Sequence, residues 1–316
     1  MLYPLKFLPV TIGQPWGGRR LAEFLGMQLP AGQTVAESWG LLDSPSAIAA
    51  GSTEPPSSVV ANGPLAGRTL HQIIADLGPS MHGDVPLVPP AGQFPVQVRF
   101  VDAREDSSLR VNITALALYA IRIDPGPGSV RRLSPHVSDS QLKQAISDGT
   151  ADSLCDCLPI KAGECMLLPP GTVYAIGAGV LAVEIQSPGE WPGLLSVPDA
   201  LALGRIPFGL TPAKPQRRSH VAGLFTTVTR LIACEDFIIE KVRFVEGVEE
   251  AVPYDQPVVW VMLEGQAEIR VDGLKDPVTF GRGDTVLIPA KMKNPIIKTL
   301  ANCVWLEVTF PTKGGL

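Results

Sequence analysis

The sequence predicts a mainly β protein, built from a duplicated barrel module and carrying a few decorating α-helices. Three observations lead there: turn formers separate short β-rich runs, one turn-strand-turn unit occurs twice, and only three stretches have helical periodicity. Gly and Pro number 31 each in 316 residues. They bound runs such as "FPVQVRFVDA", "VLAVEIQ", "FIIEKVRFV" and "DTVLIPA". Brief apolar runs closed by turn residues suit a sandwich or barrel, in which each strand crosses a sheet once and then reverses.

The repeat organises the chain. "KAGECMLLPP" at 161–170 matches "GRGDTVLIPA" at 281–290: a glycine, an acid, two variable residues, two apolar residues and a proline, so Gly163 to Pro169 and Gly283 to Pro289 share one spacing. Two copies of one supersecondary unit imply a duplicated module. The expected division is an N-terminal barrel with helical decoration over 1–208, a linker over 209–220 and a smaller C-terminal barrel over 221–316. The linker segment "GLTPAKPQRRSH" carries Pro212, Pro215 and the Arg217-Arg218 pair, as an exposed connection would.

The elements follow in order. "RRLAEFLG" reads as a short helix near the N-terminus. "GRTLHQIIADLG" sets Leu70, Ile73, Ile74 and Leu77 on one helical face, with Thr69 at its start and Gly78 at its end. "SDSQLKQAISDGT" does the same with Leu142, Ala145 and Ile146 and closes at Gly149. In "LLPPGTVYAIGAGVLAVEIQ", two prolines and Gly171 shape a corner that feeds a buried strand. "VMLEGQAEIRVDG" reads as a hairpin, because Glu264-Gly265 breaks the pattern before Ala267, Ile269 and Val271 alternate with polar residues.

Composition excludes several classes of function. The chain has a formal charge of -5. No block of Lys or Arg exceeds a pair, so no phosphate-tracking nucleic-acid surface is expected. The N-terminus lacks a basic start followed by an unbroken apolar core, and no window approaches the ~18 apolar residues of a membrane span, so a soluble cytoplasmic protein is expected. Five cysteines do not suggest a disulfide framework. Cys155, Cys157 and Cys165 have C-x-C rather than paired C-x-x-C spacing and read as small buried hydrophobes rather than a thiolate zinc site. His71, His82, His136 and His220 have no histidine partner at i+2 or i+4 and read as surface or satisfied side chains.

Motifs along most of the chain carry a resemblance. "PWGGRRLAEFLG", "AESWGLLD" with Glu37 and Trp39, "SSVVANGPLAGRTLHQII", "FPVQVRFVDAREDSSLRV" and "LLPPGTVYAIGAGVLAVEIQ" together resemble the short, bacterial-type form of the type I mannose-6-phosphate isomerase family. The resemblance implies two cupin-type (jelly-roll) β-barrels. It also implies isomerisation of an aldose phosphate to a ketose phosphate, with a zinc ion held by histidine, glutamate and, in some members, glutamine.

Residue by residue, the carry-over fails at the metal. Asn112 stands at a family histidine, Leu116 at the zinc-binding glutamate after an apparent deletion, and Tyr174 at the third ligand, a histidine. An amide, an aliphatic chain and a phenol are poor zinc donors, so no metal cofactor is expected. The family's arginine after the E-x-Q strand is also missing, since "EIQSPGEWPGLLSV" contains none.

Arg99, where the family commonly has a lysine, Arg110, Glu184 and Gln186 remain as candidate substrate-binding residues. Two roles stay open for them: a structural ion pair between Arg99 and Glu184, or two arginines holding a phosphate. The expectation is an isomerase-like protein that has lost its zinc ligands and is non-catalytic, binding a sugar phosphate or acting in regulation. The alternative is an active aldose-ketose isomerase with a rebuilt site. A third reading has Leu116, Leu118 and Tyr174 filling the pocket. Oligomeric state is left open by the sequence.

Overall fold

The computed structural model describes residues 1–43, 57–88, 92–124, 128–188, 194–207, 218–223 and 225–311. The chain is mainly β and forms two lobes, each a pair of antiparallel sheets. In the N-terminal lobe a six-stranded sheet runs in the order Val10–Ile12, Glu37–Leu41, Gln97–Asp102, Val180–Gln186, Leu116–Ile123, Cys165–Leu168. A five-stranded sheet accompanies it, in the order Leu194–Ser196, Arg110–Asn112, Val173–Ile176, Gly128–Leu133, Cys155–Ile160.

The C-terminal lobe pairs a seven-stranded sheet with a four-stranded one. The first runs Leu5–Lys6, Thr285–Ile288, Val258–Glu264, Cys303–Thr309, Ile238–Phe244, Thr226–Ala233, Arg218–Gly223. The second runs Glu249–Ala251, Ile296–Thr299, Gln266–Arg270, Val278–Gly281. Each lobe is therefore a jelly-roll-like sandwich with separate sheets rather than the closed cylinder that "barrel" implies.

The repeat is realised in detail. Gly163 and Gly283 adopt φ of 83° and 86°, the left-handed region that glycine enters without a Cβ clash. The following acid caps each turn: Glu164 accepts from the Lys161 amide at 3.0 Å, and Asp284 from the Gly281 amide at 2.8 Å. The strands Cys165–Leu168 and Thr285–Ile288 then pair with Leu116–Ile123 and Val258–Glu264 respectively.

Two of the expected helices carry complete capping boxes, Thr69 with Gln72 ahead of Leu70–Leu77 and Ser138 with Gln141 ahead of Asp139–Ser147. The first expected helix is a single turn, Arg20–Glu23.

Two expectations need correction. The hairpin across Gly265 does not form: Val258–Glu264 belongs to the seven-stranded sheet and Gln266–Arg270 to the four-stranded one, and the two do not pair. Gly265, at φ 82°, is a corner between sheets, and a Cβ there would stand 2.2 Å from the Asn302 carbonyl oxygen. The alternation around it is that of two strands facing different partners. Of the expected linker, 209–217 lie outside the described residues, while 218–220 open the strand Arg218–Gly223.

The lobes share apolar packing. Leu181, Val183 and Ile185 of the N-terminal lobe lie in one buried cluster with Val259, Val261 and Leu287 of the C-terminal lobe. Every residue of Val180–Gln186 is buried, which explains its almost unbroken apolar run.

Candidate functional site

The candidate site starts from strand periodicity. Along Gln97–Asp102, Val98 and Phe100 enter the shared cluster, and Arg99 points the other way, into the N-terminal sandwich. Register places Trp39 on one side of Arg99 and Glu184 on the other, each directly opposite it. On the accompanying sheet Tyr174 lies opposite Arg110.

These side chains form one buried network. Arg99, fully buried, donates through Nε to Glu184 Oε2, through Nη1 to Glu37 Oε2 at 3.0 Å and through Nη2 to Tyr174 Oη at 3.3 Å. Tyr174 donates its hydroxyl to Glu184 Oε1 at 2.9 Å. Arg110 Nη1 donates to Glu37 Oε1 at 2.7 Å. Arg99 stacks over Trp39 at 5.0 Å and Arg110 over Trp16 at 5.3 Å.

Two guanidiniums thus balance two carboxylates. Burial alone would push the Glu37 carboxyl up, but Arg99 and Arg110 outweigh it and hold Glu37 below the usual carboxylate range. Burial would lower the Arg99 guanidinium; Glu184 and Glu37 reverse that and raise it. Burial lifts the Tyr174 phenol far above its ordinary range, and Glu184 adds to the shift.

Beside the network lies a hollow of about 270 Å³ whose lining includes Gln14, Trp16, Glu37, Arg99, Arg110 and Ser196. Arg110 is the cation placed to meet a ligand there: its side chain is 13% exposed against 1% for Arg99. Gln186 is not brought into this group. It is fully buried and donates through Nε2 to Gln97 Oε1 at 2.9 Å.

The three positions matched to zinc ligands do not fit the ion. Asn112 is fully buried, and its Nδ2 donates to the carbonyls of Thr114, Leu168 and Pro169 at 2.8, 3.0 and 2.9 Å. Its carbonyl also accepts from the Gly171 amide at 2.7 Å, so Asn112 clamps the proline corner. Asn112 Oδ1 has no partner among the described residues and is a single neutral donor. Leu116 and Leu118 are fully buried in one cluster with Leu168, Tyr174 and Ile176. No imidazole or carboxylate stands at the three matched positions, and zinc prefers those donors.

The other candidates are dispersed. Among the described residues no three His, Cys, Asp or Glu side chains form a metal-sized group. Cys155, Cys157 and Cys165 form no disulfide among the described residues, and Cys157 is exposed, contrary to its reading as a buried hydrophobe. His71 Nδ1 lies 3.3 Å from Asp43, and His82 Nδ1 lies 3.0 Å from the Val85 carbonyl.

Glu37, named in the sequence only as part of a motif, and Trp16 are site residues that were not among the candidate binding residues. The signal for Glu37 was a carboxylate inside the short strand run "ESWGL", where burial demands a cationic partner.

The two-lobed jelly-roll fold and the position of this network define a cupin-type protein. Comparisons narrow the class. The chain is 27% identical over 307 residues to the mannose-6-phosphate isomerase of Streptococcus mutans, covering 88% of this chain and 90% of that one. It is 32% identical over 200 residues to a Bacillus subtilis protein named "Probable mannose-6-phosphate isomerase", covering 59% of this chain and 58% of that relative. The solved mannose 6-phosphate isomerase from Bacillus subtilis has the same fold, with a TM-score of 0.77 at 20% identity over 98% of this chain and 100% of that one. A zinc-bound mannose 6-phosphate isomerase superposes with a TM-score of 0.68 at 14% identity. No family model matches the chain. Over most of its length the chain is thus similar to mannose-6-phosphate isomerases in sequence, and it shares their fold. Among the described residues no helix is long and apolar enough to cross a membrane.

Proposed function

We propose that this chain is a mannose-6-phosphate isomerase-like protein without the family's zinc-dependent turnover, which binds a sugar phosphate at the mouth of its N-terminal sandwich and acts through that binding. The observation that carries the reading is the closed network: both buried carboxylates already hold a guanidinium, and Tyr174 at a matched ligand position is committed to Glu184.

Isomerisation moves a proton between adjacent carbons while charge grows on oxygen, so it needs a free base and an electrophile. Glu184 is tied to Arg99 and Tyr174. Arg99 stays charged, and the raised Tyr174 phenol stays protonated. Both carboxylates of the network are therefore already engaged, Glu184 by Arg99 and Tyr174 and Glu37 by Arg99 and Arg110.

Binding asks less. Arg110 commits Nη1 to Glu37, and its remaining N–H groups suit a phosphate beside Gln14 and Ser196, while Trp16 offers a flat apolar surface to a sugar ring. The test is a coupled assay on mannose 6-phosphate with and without added zinc, run beside calorimetric titration of the same ligand. The expected result is no turnover in either assay and saturable binding that Arg110→Gln weakens by about tenfold or more. Zinc-dependent turnover would instead establish an active isomerase with a rebuilt site. Failure to bind the ligand would leave the filled interior around Leu116, Leu118 and Tyr174 as the whole account.

A further inference from the structure

The C-terminal lobe contains a second hollow, of about 180 Å³, which shares no lining residue with the N-terminal one. Its chemistry follows from one strand. Period-two alternation along Cys303–Thr309 puts Trp305 and Glu307 on the same face, and register sets Trp260 directly opposite Glu307. Phe244 and Tyr254 complete an aromatic wall.

The rings interlock. Trp260 and Trp305 lie 5.0 Å apart at 36°, Phe244 stacks on Trp305 at 5.0 Å and 10°, and Tyr254 meets Trp260 edge-on at 6.3 Å and 77°. Between them stands a carboxylate that is 8% exposed. Glu307 Oε2 accepts from the Tyr254 hydroxyl at 2.6 Å, Trp260 Nε1 at 3.1 Å and, more weakly, Trp305 Nε1 at 3.5 Å.

What this carboxylate lacks is a cation. Among the described residues no lysine or arginine forms an ion pair with it; Arg230, two strands away, pairs with Glu240 at 3.0 Å. Glu240 itself is the residue opposite Glu307 on the neighbouring strand, a like charge. Buried carboxylates are ordinarily paired, and neutral hydrogen bonds alone leave the charge uncompensated. Burial accordingly pushes the Glu307 carboxyl up. The rim adds Glu250, which lines this hollow and an adjoining one with Glu246; Glu249, which also lines the second, is already paired with Arg270.

We propose that this hollow is a binding site for a small organic cation bearing an alkylated ammonium group. Aromatic faces attract a desolvated cation through their quadrupoles, and the Glu307 carboxylate supplies the opposite charge that the protein does not otherwise neutralise. A bare metal ion does not suit the site, because the indole N–H groups and the Tyr254 hydroxyl are donors already aimed at Oε2. A neutral sugar would use the rings and leave the buried charge unanswered.

The experiment titrates the full-length protein with choline chloride, read by tryptophan fluorescence and calorimetry. The controls are sodium chloride at equal ionic strength and 3,3-dimethylbutan-1-ol, the uncharged carbon isostere of choline. The expected result is saturation by choline, with the isostere weaker by about tenfold or more, and a loss of similar size in Glu307→Gln. Equal binding of choline and its isostere, or no saturable response to choline, overturns the proposal. The isostere comparison uses the unmodified chain, so it decides the matter even where the variant folds poorly.

Discussion

Arg99 shows what a single residue can reveal and conceal. A basic residue in the run "FPVQVRFVDA" must either be solvated or meet an acid, and period-two spacing places it inside. Its pairing with Glu184 was legible as one of two roles, because both residues lie in strands with readable alternation. That Glu37 joins the pair was not legible, since nothing local connects position 37 to position 99. Removing the guanidinium in Arg99→Met leaves two carboxylates buried without it. We expect a loss of about 3–5 kcal/mol in urea unfolding, and a loss under about 1 kcal/mol would show that the network carries little stability.

Glu37 gives the pH dependence. Its folded carboxyl sits below its unfolded value of about 4.3, so its contribution is complete above that value and is lost as pH falls through the lower, folded one. Burial raises the Asp43 and Glu307 carboxyls, which act in the opposite direction as pH rises. Subtracting the stability profile of Glu37→Gln from that of the unmodified chain isolates the Glu37 limb. The difference should shrink below about pH 4; a difference that is flat through acid pH would count against the pairing.

At the scale of elements, the repeated turn was the most legible feature, because its glycine, acid and proline act locally. Its two copies differ in surroundings. A Cβ at Gly163 would meet only the Tyr119 hydroxyl oxygen at 3.9 Å, whereas at Gly283 it would stand 2.7 Å from the Leu25 carbonyl oxygen. Gly163→Ala should therefore cost about 1–2 kcal/mol, from its positive φ. Gly283→Ala should cost more, since backbone must also move, and thermal denaturation of the two variants ranks them; the reverse order would refute the assignment of these contacts. Asn112 belongs to this scale too. Asn112→Ala frees three carbonyls at the proline corner and should cost about 1–3 kcal/mol by the same measurement. The corner at Gly265 was misread as a hairpin because turn chemistry reports that the chain bends, not which sheet the next strand joins.

The whole molecule is tied together more closely than a duplicated sequence suggests. Leu5–Lys6, from the extreme N-terminus, pairs with Thr285–Ile288 in the C-terminal sheet, and one apolar cluster crosses both lobes. Far-ultraviolet circular dichroism and tryptophan fluorescence should therefore report a single coincident unfolding transition. Two separated transitions would mean that the lobes fold independently. A fragment beginning at 221 would lack both the Leu5–Lys6 strand and the Arg218–Gly223 opening at the opposite edge of that sheet.

The β class, the duplicated turn unit, the two capped helices and the family resemblance could all be read along the chain. Each of these rests on periodicity, on local hydrogen-bonding chemistry or on motifs contiguous in the chain. The same reading shows that Asn112, Leu116 and Tyr174 are poor zinc donors, because donor chemistry is a property of residue type. That Asn112 clamps a corner and that Glu37 bridges two arginines emerged from the three-dimensional fold. It alone showed Gln186 turned toward Gln97, and Trp260, Trp305 and Tyr254 around a Glu307 with no ion-pair partner among the described residues. Those outcomes depend on which strands become neighbours, and the burial free energy that selects neighbours is summed over whole sheets rather than written in any one stretch of chain.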